Sequence, residues 1–294
     1  MSDVGYPPEE ADSRGPIPAP GADTKAGNVA GEAVHGLGTI VIKLGGSTLG
    51  NHDTTLDDVV ALQRAGARPV LVHGGGNTIT QWMQKQGVRP RFVRGLRVTD
   101  DTNIEIVVAV LAGVVNKSLV ASINGRGGRA VGLSGVDGGM LRAESLDPEL
   151  GLVGRIVAVD PAPIRTLMEA GFIPVIAPVA ATSDEAASEI GLLLNVNADT
   201  AAGEIASALG SDRLVIMTDV EGVLDSSNRL ISRLTERQAE GLVRSNVIAD
   251  GMVPKIGACL KALRDVRMAH IVDGRRPHAL EDTLAGKQLG TRVG

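Results

Sequence analysis

The stretches TIVIKLGGS (residues 39–47) and PVLVHGGGN (residues 69–77) decide the fold class of this chain. Each begins with a short apolar run rich in β-branched residues, a composition that favours a buried strand. Each run ends in glycines, and after the second a helical pattern begins. Strands that alternate with helices are typical of parallel sheets, because parallel neighbours need a crossover connection. The two stretches therefore predict an α/β fold.

The rest of the chain continues this alternation. Apolar runs predict further strands at residues 130–133, 156–159, 173–177 and 214–217. Helical spacing predicts helices at residues 56–65, 78–86, 163–170 and 200–209, and a longer one that Asp101 or Thr102 caps and that runs to about Asn124. The pattern predicts a mostly parallel central sheet that is covered on both faces, with ligands beyond the carboxyl ends of its strands.

The long helix at residues 102–124 carries apolar side chains over more than one face. A helix of this kind needs a second covering layer, such as another subunit. Residues 1–38 have the opposite character, with five prolines, seven glycines and six acidic against two basic side chains. They have too little apolar surface to offset the entropy of ordering, so we predict a disordered tail without an assigned function.

The overall composition excludes several classes of protein. A formal charge of −5 and the lack of a basic stripe argue against a nucleic-acid partner. The single cysteine, Cys259, excludes an internal disulfide, and its apolar helical surroundings predict a buried structural thiol. No apolar run reaches the roughly 18 residues that span a bilayer, and no secretory signal pattern opens the chain. We therefore expect a cytoplasmic protein without a membrane partner.

Two lysines stand at positions suited to bind phosphate. Lys43 ends an apolar strand, where a partly buried ammonium group needs an anionic partner. Lys255 follows Pro254 at the start of a helical pattern, although a solvated surface lysine would fit the same position. Asp199, in NVNADT (residues 195–200), could pair with both lysines or simply cap the helix that follows.

The glycine turns are less specific. Gly45-Gly46 and the glycines at residues 74–76 could bring backbone N–H groups to an anion at a strand end, but a tight turn explains them equally well. Neither turn is a P-loop, because the chain contains no G-x4-G-K-[ST] motif. The nearest dinucleotide fingerprint, at residues 125–130, follows a helix and leads into a strand, which is the wrong order for a nicotinamide dehydrogenase.

Taken in order, the short motifs of this chain resemble the amino acid kinase family, and within it the members that act on N-acetyl-L-glutamate. The matching segments are IKLGGS (42–47), VHGGGN (72–77), GLRVTD (95–100), VNKSLV (115–120), VGLSGVDG (131–138), GFIPVIAPV (171–179), NVNADTAA (195–202), TDVEGVLD (218–225), GMVPK (251–255), AHIVDGR (269–275) and LGTRV (289–293). Each motif alone is weak, but their shared order and spacing over residues 39–294 are specific.

The resemblance implies an open three-layer αβα sandwich with a mostly parallel central sheet and two lobes. Residues 39–210 would bind the acyl-amino acid and form a homodimer through the 102–124 helix, and residues 211–294 would bind the nucleotide. The implied reaction transfers the γ-phosphate of ATP, which enters with Mg²⁺, to the side-chain carboxylate of N-acetyl-L-glutamate. The product, N-acetylglutamyl 5-phosphate, belongs to arginine biosynthesis. The resemblance implies no metal site on the protein itself.

Family roles map onto individual positions. Lys43 and Lys255 would neutralise the transferring phosphoryl group, Asp199 would organise them, and Gly46 and Gly75 would donate N–H groups to it. The residues implied to bind the acyl-amino acid are Gly75, Gly76, Arg97 and Asn195, with Arg97 holding its α-carboxylate. The residues implied to contact the nucleotide are Lys43, Thr218, Asp219, Gly222, Val223, Leu224, Met252 and Lys255. The substrate carboxylate is already ionised near pH 7, so no general base is needed and we expect a structural role for His73.

Two features bear on regulation and on alternatives. The stretch from His278 to Thr291 is short and resembles that of arginine-insensitive dimeric members, so we expect little inhibition by arginine. One alternative is a relative that phosphorylates a carrier-linked or acylated aminoadipate in lysine biosynthesis. Another is a non-catalytic regulator that binds metabolites on the same fold, although the intact Lys43, Asp199 and Lys255 argue against it.

Overall fold

The computed structural model describes residues 38–45, 54–184, 192–248 and 251–294. Most of the predicted tail and Gly46 lie outside these residues. The strands are β1 Thr39–Leu44, β2 Arg68–His73, β3 Phe92–Val93, β4 Leu96–Arg97, β5 Ala130–Ser134, β6 Leu141–Ser145, β7 Val153–Val159, β8 Ile173–Ala177, β9 Val179–Thr182, β10 Leu193–Val196, β11 Arg213–Thr218, β12 Arg233–Leu234, β13 Met268–Asp273 and β14 Thr291–Val293.

Eight helices accompany these strands in the described part of the chain. They are α1 Thr55–Arg64, α2 Gly76–Lys85, α3 Ile104–Gly125, α4 Ala162–Glu169, α5 Ala198–Leu209, α6 Glu236–Arg244, α7 Met252–Ala262 and α8 Ala279–Leu284. Short 3₁₀ turns at Asp137–Gly139 and Pro148–Leu150 complete the regular structure.

The main sheet has eight strands in the order β12-β14-β13-β11-β1-β2-β8-β5. All neighbours are parallel except β13 and β14, which are antiparallel. The predicted α/β class with a mostly parallel central sheet is confirmed. Because β1 lies between β11 and β2, the carboxyl end of β1, with Lys43, is at the middle of one sheet edge.

Both faces of the sheet are covered, and β1 shows this directly. Its residues Ile40 and Ile42 pack with α1, α3 and α8 on one face. Val41 faces the other way and packs with α4, α5 and α7. All three side chains have no exposed surface. This is the arrangement that a continuous apolar run predicts for a parallel strand, since successive side chains point to opposite faces.

A second sheet packs beside the first. Strands β10, β7, β6 and β9 close into a small barrel of mixed parallel and antiparallel pairs. The sequence predicted only the end of β7 here, because β9 and β10 have four residues each and give little periodicity. The chain leaves the barrel through β10 and enters α5 directly, so the barrel positions the start of that helix.

The long helix α3 differs from its prediction at its start. Neither Asp101 nor Thr102 caps it: Asn103 occupies the N-cap position, without a side-chain cap, and its Oδ1 accepts a hydrogen bond from the Asp100 N–H. The middle of the helix, Ala109–Val115, is a π-helical segment. Insertions of this kind are frequent at functional sites.

The apolar character of α3 also bears on membranes. By length and composition alone, α3 is the one helix among the described residues that could cross a bilayer, although no single apolar run of 18 residues occurs in it. One of its faces packs into the protein through Ile106, Val107, Val110 and Leu111, which are buried. A helix covered on one side by its own chain passes the same test.

Candidate active site

The centre of the site is one carboxylate that bridges two ammonium groups. Lys43 Nζ lies 2.9 Å from Asp199 Oδ1, and Lys255 Nζ lies 3.0 Å from Asp199 Oδ2. Lys255 donates a hydrogen bond to Oδ2, whereas Oδ1 accepts none from the described residues, so its contact with Lys43 is an ion pair without hydrogen-bond geometry. The two lysines, 212 positions apart in sequence, thus meet at a single acidic side chain.

The start of α5 explains why Asp199 is available for this role. Asn197, and not Asp199, caps the helix: its side-chain oxygen accepts hydrogen bonds from the N–H groups of Asp199 and Thr200 at 2.9 and 3.1 Å. The interpretation of Asp199 as the cap is therefore wrong. Asp199 sits in the first turn and is 4% exposed, with its carboxylate turned to the lysines.

Burial is the largest influence on the pKa of Lys43. Its side chain is 8% exposed, and the loss of hydration lowers the pKa of its ammonium group. The neighbouring charge of Asp199 raises that pKa and the charge of Lys255 lowers it, each by less than burial does. An ammonium group held in this way offers positive charge with little competing water, which strengthens its attraction for a phosphoryl group.

A cavity of about 240 Å³ opens beside Lys43 and Asp199 at the carboxyl edge of the main sheet. Its walls come from the glycine turn after β2, from β4, from α3 and from the β10–α5 junction. Of the residues predicted to act in catalysis or substrate binding, the structure places Lys43, Gly75, Gly76, Arg97, Asn195 and Asp199 in this wall. Lys255 is not part of the wall, but it contacts the same carboxylate from α7.

Arg97 is the second cation, besides Lys43, in the described wall of the cavity. It is 8% exposed, and one terminal nitrogen donates to Gly76 O at 2.9 Å and to Thr80 Oγ1 at 2.8 Å. Its guanidinium carbon lies 4.7 Å from the centre of the Phe92 ring, and burial lowers its pKa. It forms no ion pair with any carboxylate of the described residues, so a buried positive charge faces the cavity without an acidic partner.

The glycine turn brings the backbone against this cavity. A Cβ at Gly75 would lie 2.8 Å from Leu111 Cδ2, so the turn packs closely against a side chain of α3, and a larger residue would require that side chain to move. Helix α2 begins immediately afterwards with no side-chain cap, which leaves its first N–H groups available to an anion. The turn therefore has the geometry of an anion site as well as that of a packing contact.

His73, the last residue of β2, makes its contacts at the same glycine turn. It is fully buried, its Nδ1 lies 3.0 Å from Gly74 O, and Asn116 donates to its Nε2 at 3.1 Å. Burial lowers the pKa of the imidazole to about 4, so the ring is neutral near pH 7. These contacts fit the structural role predicted for His73. They also connect the end of β2 to α3, a contact that the sequence analysis did not predict.

Asn195 and the residues predicted for the nucleotide lie on both sides of Asp199. Asn195 donates from Nδ2 to Thr99 Oγ1 at 3.0 Å, which orients its amide in the cavity wall. Thr218 ends β11, and the charge of Asp219 acts on Lys43, which places both near the lysine pair. Met252 begins α7, three residues before Lys255.

Some residues of the loop after β11 hold the loop in its conformation through hydrogen bonds and close packing. The N–H of Val223 donates to Thr291 Oγ1 at 2.8 Å, and its carbonyl accepts from the Ile231 N–H. Gly222 has a φ of 149°, and a Cβ there would lie 2.7 Å from Leu230 and from Thr291. Leu224 is 37% exposed. Gly222 and Val223 therefore shape the loop, while Asp219 and Leu224 are exposed.

The charges of the cavity suit a substrate that carries its own metal. The described residues of the cavity wall include one carboxylate, Asp199, and both of its oxygens face lysines. Mg²⁺ prefers oxygen ligands and usually keeps the phosphates of a nucleotide among them. The residues present thus fit a Mg²⁺ ion that arrives on nucleotide phosphates and do not form a separate metal cage.

Comparisons with a family model and with curated proteins identify the family of this chain. The model of the amino acid kinase family matches residues 38–273, which is most of the chain. The chain belongs to the amino acid kinase family. An acetylglutamate kinase from Synechocystis sp. is 44% identical over 250 residues, covering 82% of each chain. One from Caldanaerobacter subterraneus is 45% identical over 266 residues, covering 87% of each.

A solved structure agrees on the fold of this amino acid kinase. The crystal structure of smu.665 from Streptococcus mutans superposes with a TM-score of 0.72 at 28% sequence identity, covering 87% of this chain and 98% of the other. The family resemblance inferred from the short motifs is therefore confirmed.

Proposed function

We propose that this amino acid kinase transfers the γ-phosphate of ATP to the side-chain carboxylate of N-acetyl-L-glutamate, forming N-acetylglutamyl 5-phosphate and ADP. The observation that carries the proposal is the bridge from Lys43 through Asp199 to Lys255 at the edge of a cavity whose wall includes Arg97. The names of relatives that are 44–45% identical over most of this chain support the choice of substrate.

The cavity fits an acyl-amino acid with two carboxylates. Arg97 has the planar fork that binds a carboxylate through two hydrogen bonds, and it has no acidic partner among the described residues. Asn195, whose amide is oriented by Thr99, would bind the acyl-amino acid beside it. The second carboxylate would then lie near Gly75 and Gly76, close to Lys43. The cavity volume of about 240 Å³ suits a small metabolite.

The chemical step needs charge neutralisation more than covalent chemistry. As the phosphoryl group passes between the carboxylate and the ADP oxygen, negative charge spreads over its oxygens. Lys43 and Lys255 would stabilise that charge from two sides, with Asp199 keeping the two ammonium groups apart and oriented. Mg²⁺ bound to the ATP phosphates supplies further neutralisation there. The carboxylate nucleophile is ionised near pH 7, so the neutral His73 has no proton to remove.

We assign the acyl-amino acid to residues 39–210 and the nucleotide to residues 211–294, a division that stays a proposal. The residues given to the nucleotide are Thr218, Asp219, Gly222, Val223, Leu224, Met252 and Lys255, of which Gly222 and Val223 would act by shaping the loop. The contact of Asp199 with Lys255 joins the two parts directly at the site of transfer.

We also propose a homodimer through α3. Ala109 and Gly113 are exposed on this helix, and a Cβ at Gly113 would meet no atom within 4 Å. A second copy of the chain would cover that apolar face. In analytical ultracentrifugation, Ala109→Glu should convert the dimer to a monomer, whereas Arg237→Gln, an equal change of charge at an exposed position on α6, should not. A wild-type monomer would contradict the proposal. A buried free Cys259 suits a reducing compartment, so we place the enzyme in the cytoplasm.

The function is tested by ADP release with a panel of carboxylates. We expect turnover with N-acetyl-L-glutamate and Mg-ATP, little with N-acetyl-L-aspartate or acylated aminoadipate, and little change on adding arginine. Preferred turnover of the aminoadipate would favour the lysine-biosynthesis alternative. Ligand binding without ADP release, in protein with an intact fold, would point to a non-catalytic regulator.

A further inference from the structure

A second cavity, of about 380 Å³, lies at the amino-terminal edge of the main sheet. Arg68 begins β2, Arg129 immediately precedes β5, and Phe172 immediately precedes β8. Because these strands are parallel, this edge is opposite the carboxyl edge that carries the candidate active site. The cavity is completed by Gln63 and Arg64 at the end of α1. We call it the arginine pocket.

The arginine pocket carries an uncompensated positive charge. Arg64, Arg68 and Arg129 line it, and no carboxylate does. None of the three forms an ion pair within the part of the chain that the structure describes. The neighbouring Arg126, by contrast, is paired with Asp57 at 3.1 Å. Three guanidinium groups without a carboxylate partner among the described residues are conspicuous around one cavity in a chain whose formal charge is −5.

Two of these guanidinium groups are held in place. Arg64 donates from NH2 to Arg126 O at 3.0 Å. A Cβ at Gly127 would lie 2.6 Å from the same nitrogen, and Gly127 has a φ of 79° that favours glycine. The guanidinium carbon of Arg129 lies 4.4 Å from the centre of the Phe172 ring. Both groups are therefore positioned by the fold before any ligand arrives.

Gln63 fixes the wall between them. Its Oε1 accepts from the Arg129 N–H at 3.1 Å, and its Nε2 donates to Gly171 O at 2.9 Å. These bonds join α1 to the segments that lead into β5 and β8. A preformed pocket loses less conformational entropy on binding than a flexible one, so its charge can be used for affinity.

We propose that the arginine pocket binds a small anion with two phosphate groups. Guanidinium groups match phosphate oxygens in planar, charge-assisted pairs, and three of them suit a ligand with more charge than a dicarboxylate has. The phosphates could belong to inorganic pyrophosphate or to an organic bisphosphate. The site is separate from the lysine pair, so it stands or falls independently of the proposed kinase activity.

Isothermal titration calorimetry on the full chain tests this assignment, with pyrophosphate and fructose 1,6-bisphosphate as the two probes and succinate as the dicarboxylate control. The variants are Arg129→Gln and Arg68→Gln, because the Arg68 guanidinium makes no hydrogen bond to the described residues and its loss should not disturb the fold. Arg237→Gln, an exposed arginine on α6, is matched in charge. Thermal melting without probe checks that each variant folds.

We expect at least one probe to bind wild type, with each pocket variant weakening binding roughly tenfold or more and Arg237→Gln changing it less than about twofold. The probe that binds more tightly identifies the source of the phosphate. Absence of binding to wild type contradicts the proposal. Equal binding by wild type and both pocket variants also contradicts it, since the probe would then occupy the nucleotide site. Tighter binding of succinate than of either probe would contradict the assigned ligand class.

Discussion

Gly203 in α5 packs against Ala258 in α7 so closely that a Cβ at position 203 would lie 2.7 Å from the Ala258 carbonyl oxygen. One turn before Gly203 stands Asp199, and three residues before Ala258 stands Lys255. The close approach of the two helices is therefore what brings Lys255 Nζ within 3.0 Å of Asp199. The Lys255–Asp199 ion pair of the candidate site thus depends on a glycine that lies outside the cavity wall.

Replacing Gly203 by Ala should weaken both stability and catalysis. The added methyl group must push α7 away from α5, which costs roughly 1–3 kcal/mol of unfolding free energy and lengthens the Lys255–Asp199 contact. Urea unfolding and kcat measure the two effects. Gly257→Ala is the matched control on α7: a Cβ there meets no atom within 4 Å, so it should stabilise the helix slightly and leave kcat unchanged. Equal behaviour of the two variants would contradict this account of the helix contact.

The lowered pKa of Lys43 should move the alkaline fall of the pH–rate profile to lower pH. Burial lowers the pKa of its ammonium group, so it loses its charge at a lower pH than an ordinary lysine does. We expect kcat to fall as the pH rises toward 10.5, and we expect Lys43→Arg to retain some activity while moving that fall to higher pH. A profile that stays unchanged in the variant would assign the alkaline limb to another group.

The lowered pKa of Lys43 also makes the stability of the folded protein depend on pH. A lysine whose pKa is lower in the folded state than in the unfolded state binds fewer protons when folded, so its contribution to stability rises with pH up to about the unfolded value. Lys43→Met should remove that part of the pH dependence. Chemical unfolding of both proteins between about pH 8 and pH 10 measures it.

Arg97 should govern the affinity for the acyl-amino acid and not for ATP. Arg97→Lys keeps the charge but loses the planar fork, so we expect the KM for the acyl-amino acid to rise about tenfold to a hundredfold while the KM for ATP changes little. Arg94→Gln is the control from the same segment, because Arg94 pairs with Asp147 and does not line the cavity. An equal rise in both KM values would contradict the placement of Arg97.

His278 links the start of α8 to α1. Its Nδ1 lies 2.7 Å from Asp58 Oδ1, and its N–H donates to Thr54 Oγ1 at 2.6 Å. Asp58 raises the pKa of the imidazole, and burial raises the pKa of Asp58 itself. Both shifts make the folded state bind more protons than the unfolded state.

The stabilisation from His278 should therefore be complete below about pH 6.5 and should be lost as the pH rises through the folded pKa. We expect the melting temperature of wild type to fall between about pH 6 and pH 8.5, and that of His278→Gln to fall less. Parallel curves for the two proteins would show that the histidine does not titrate in contact with Asp58.

The sequence predicted the core of the fold well where the signal was local. The strands at β1, β2, β5, β8 and β11 were predicted to within two residues, because their apolar runs end in glycine, proline or polar residues. The short strands β9, β10 and β14 were missed, since three or four residues carry little periodicity. Their existence depends on pairing with distant partners. The longer strands β6 and β13 were missed as well.

At the candidate site, the sequence identified the charged residues but not what holds them. The sequence offered Asp199 as a helix cap, but Asn197, two residues earlier, caps the helix, and local pattern does not separate the two positions because Asn and Asp both favour an N-cap. The contact of Gly203 with Ala258 is non-local and leaves no mark on spacing, and the contact of Arg97 with Phe92 depends on the pairing of two strands of two residues each.

The most direct test of the account is the turnover of Lys255→Met, which keeps the apolar stem and removes the ammonium group. If Lys43 and Lys255 together neutralise the transferring phosphoryl group across Asp199, kcat should fall about a hundredfold to a thousandfold with little change in either KM. Lys261→Met, on the same helix and paired with Glu204 at 3.0 Å, should keep wild-type kcat. A folded Lys255→Met enzyme with near wild-type kcat would contradict the account.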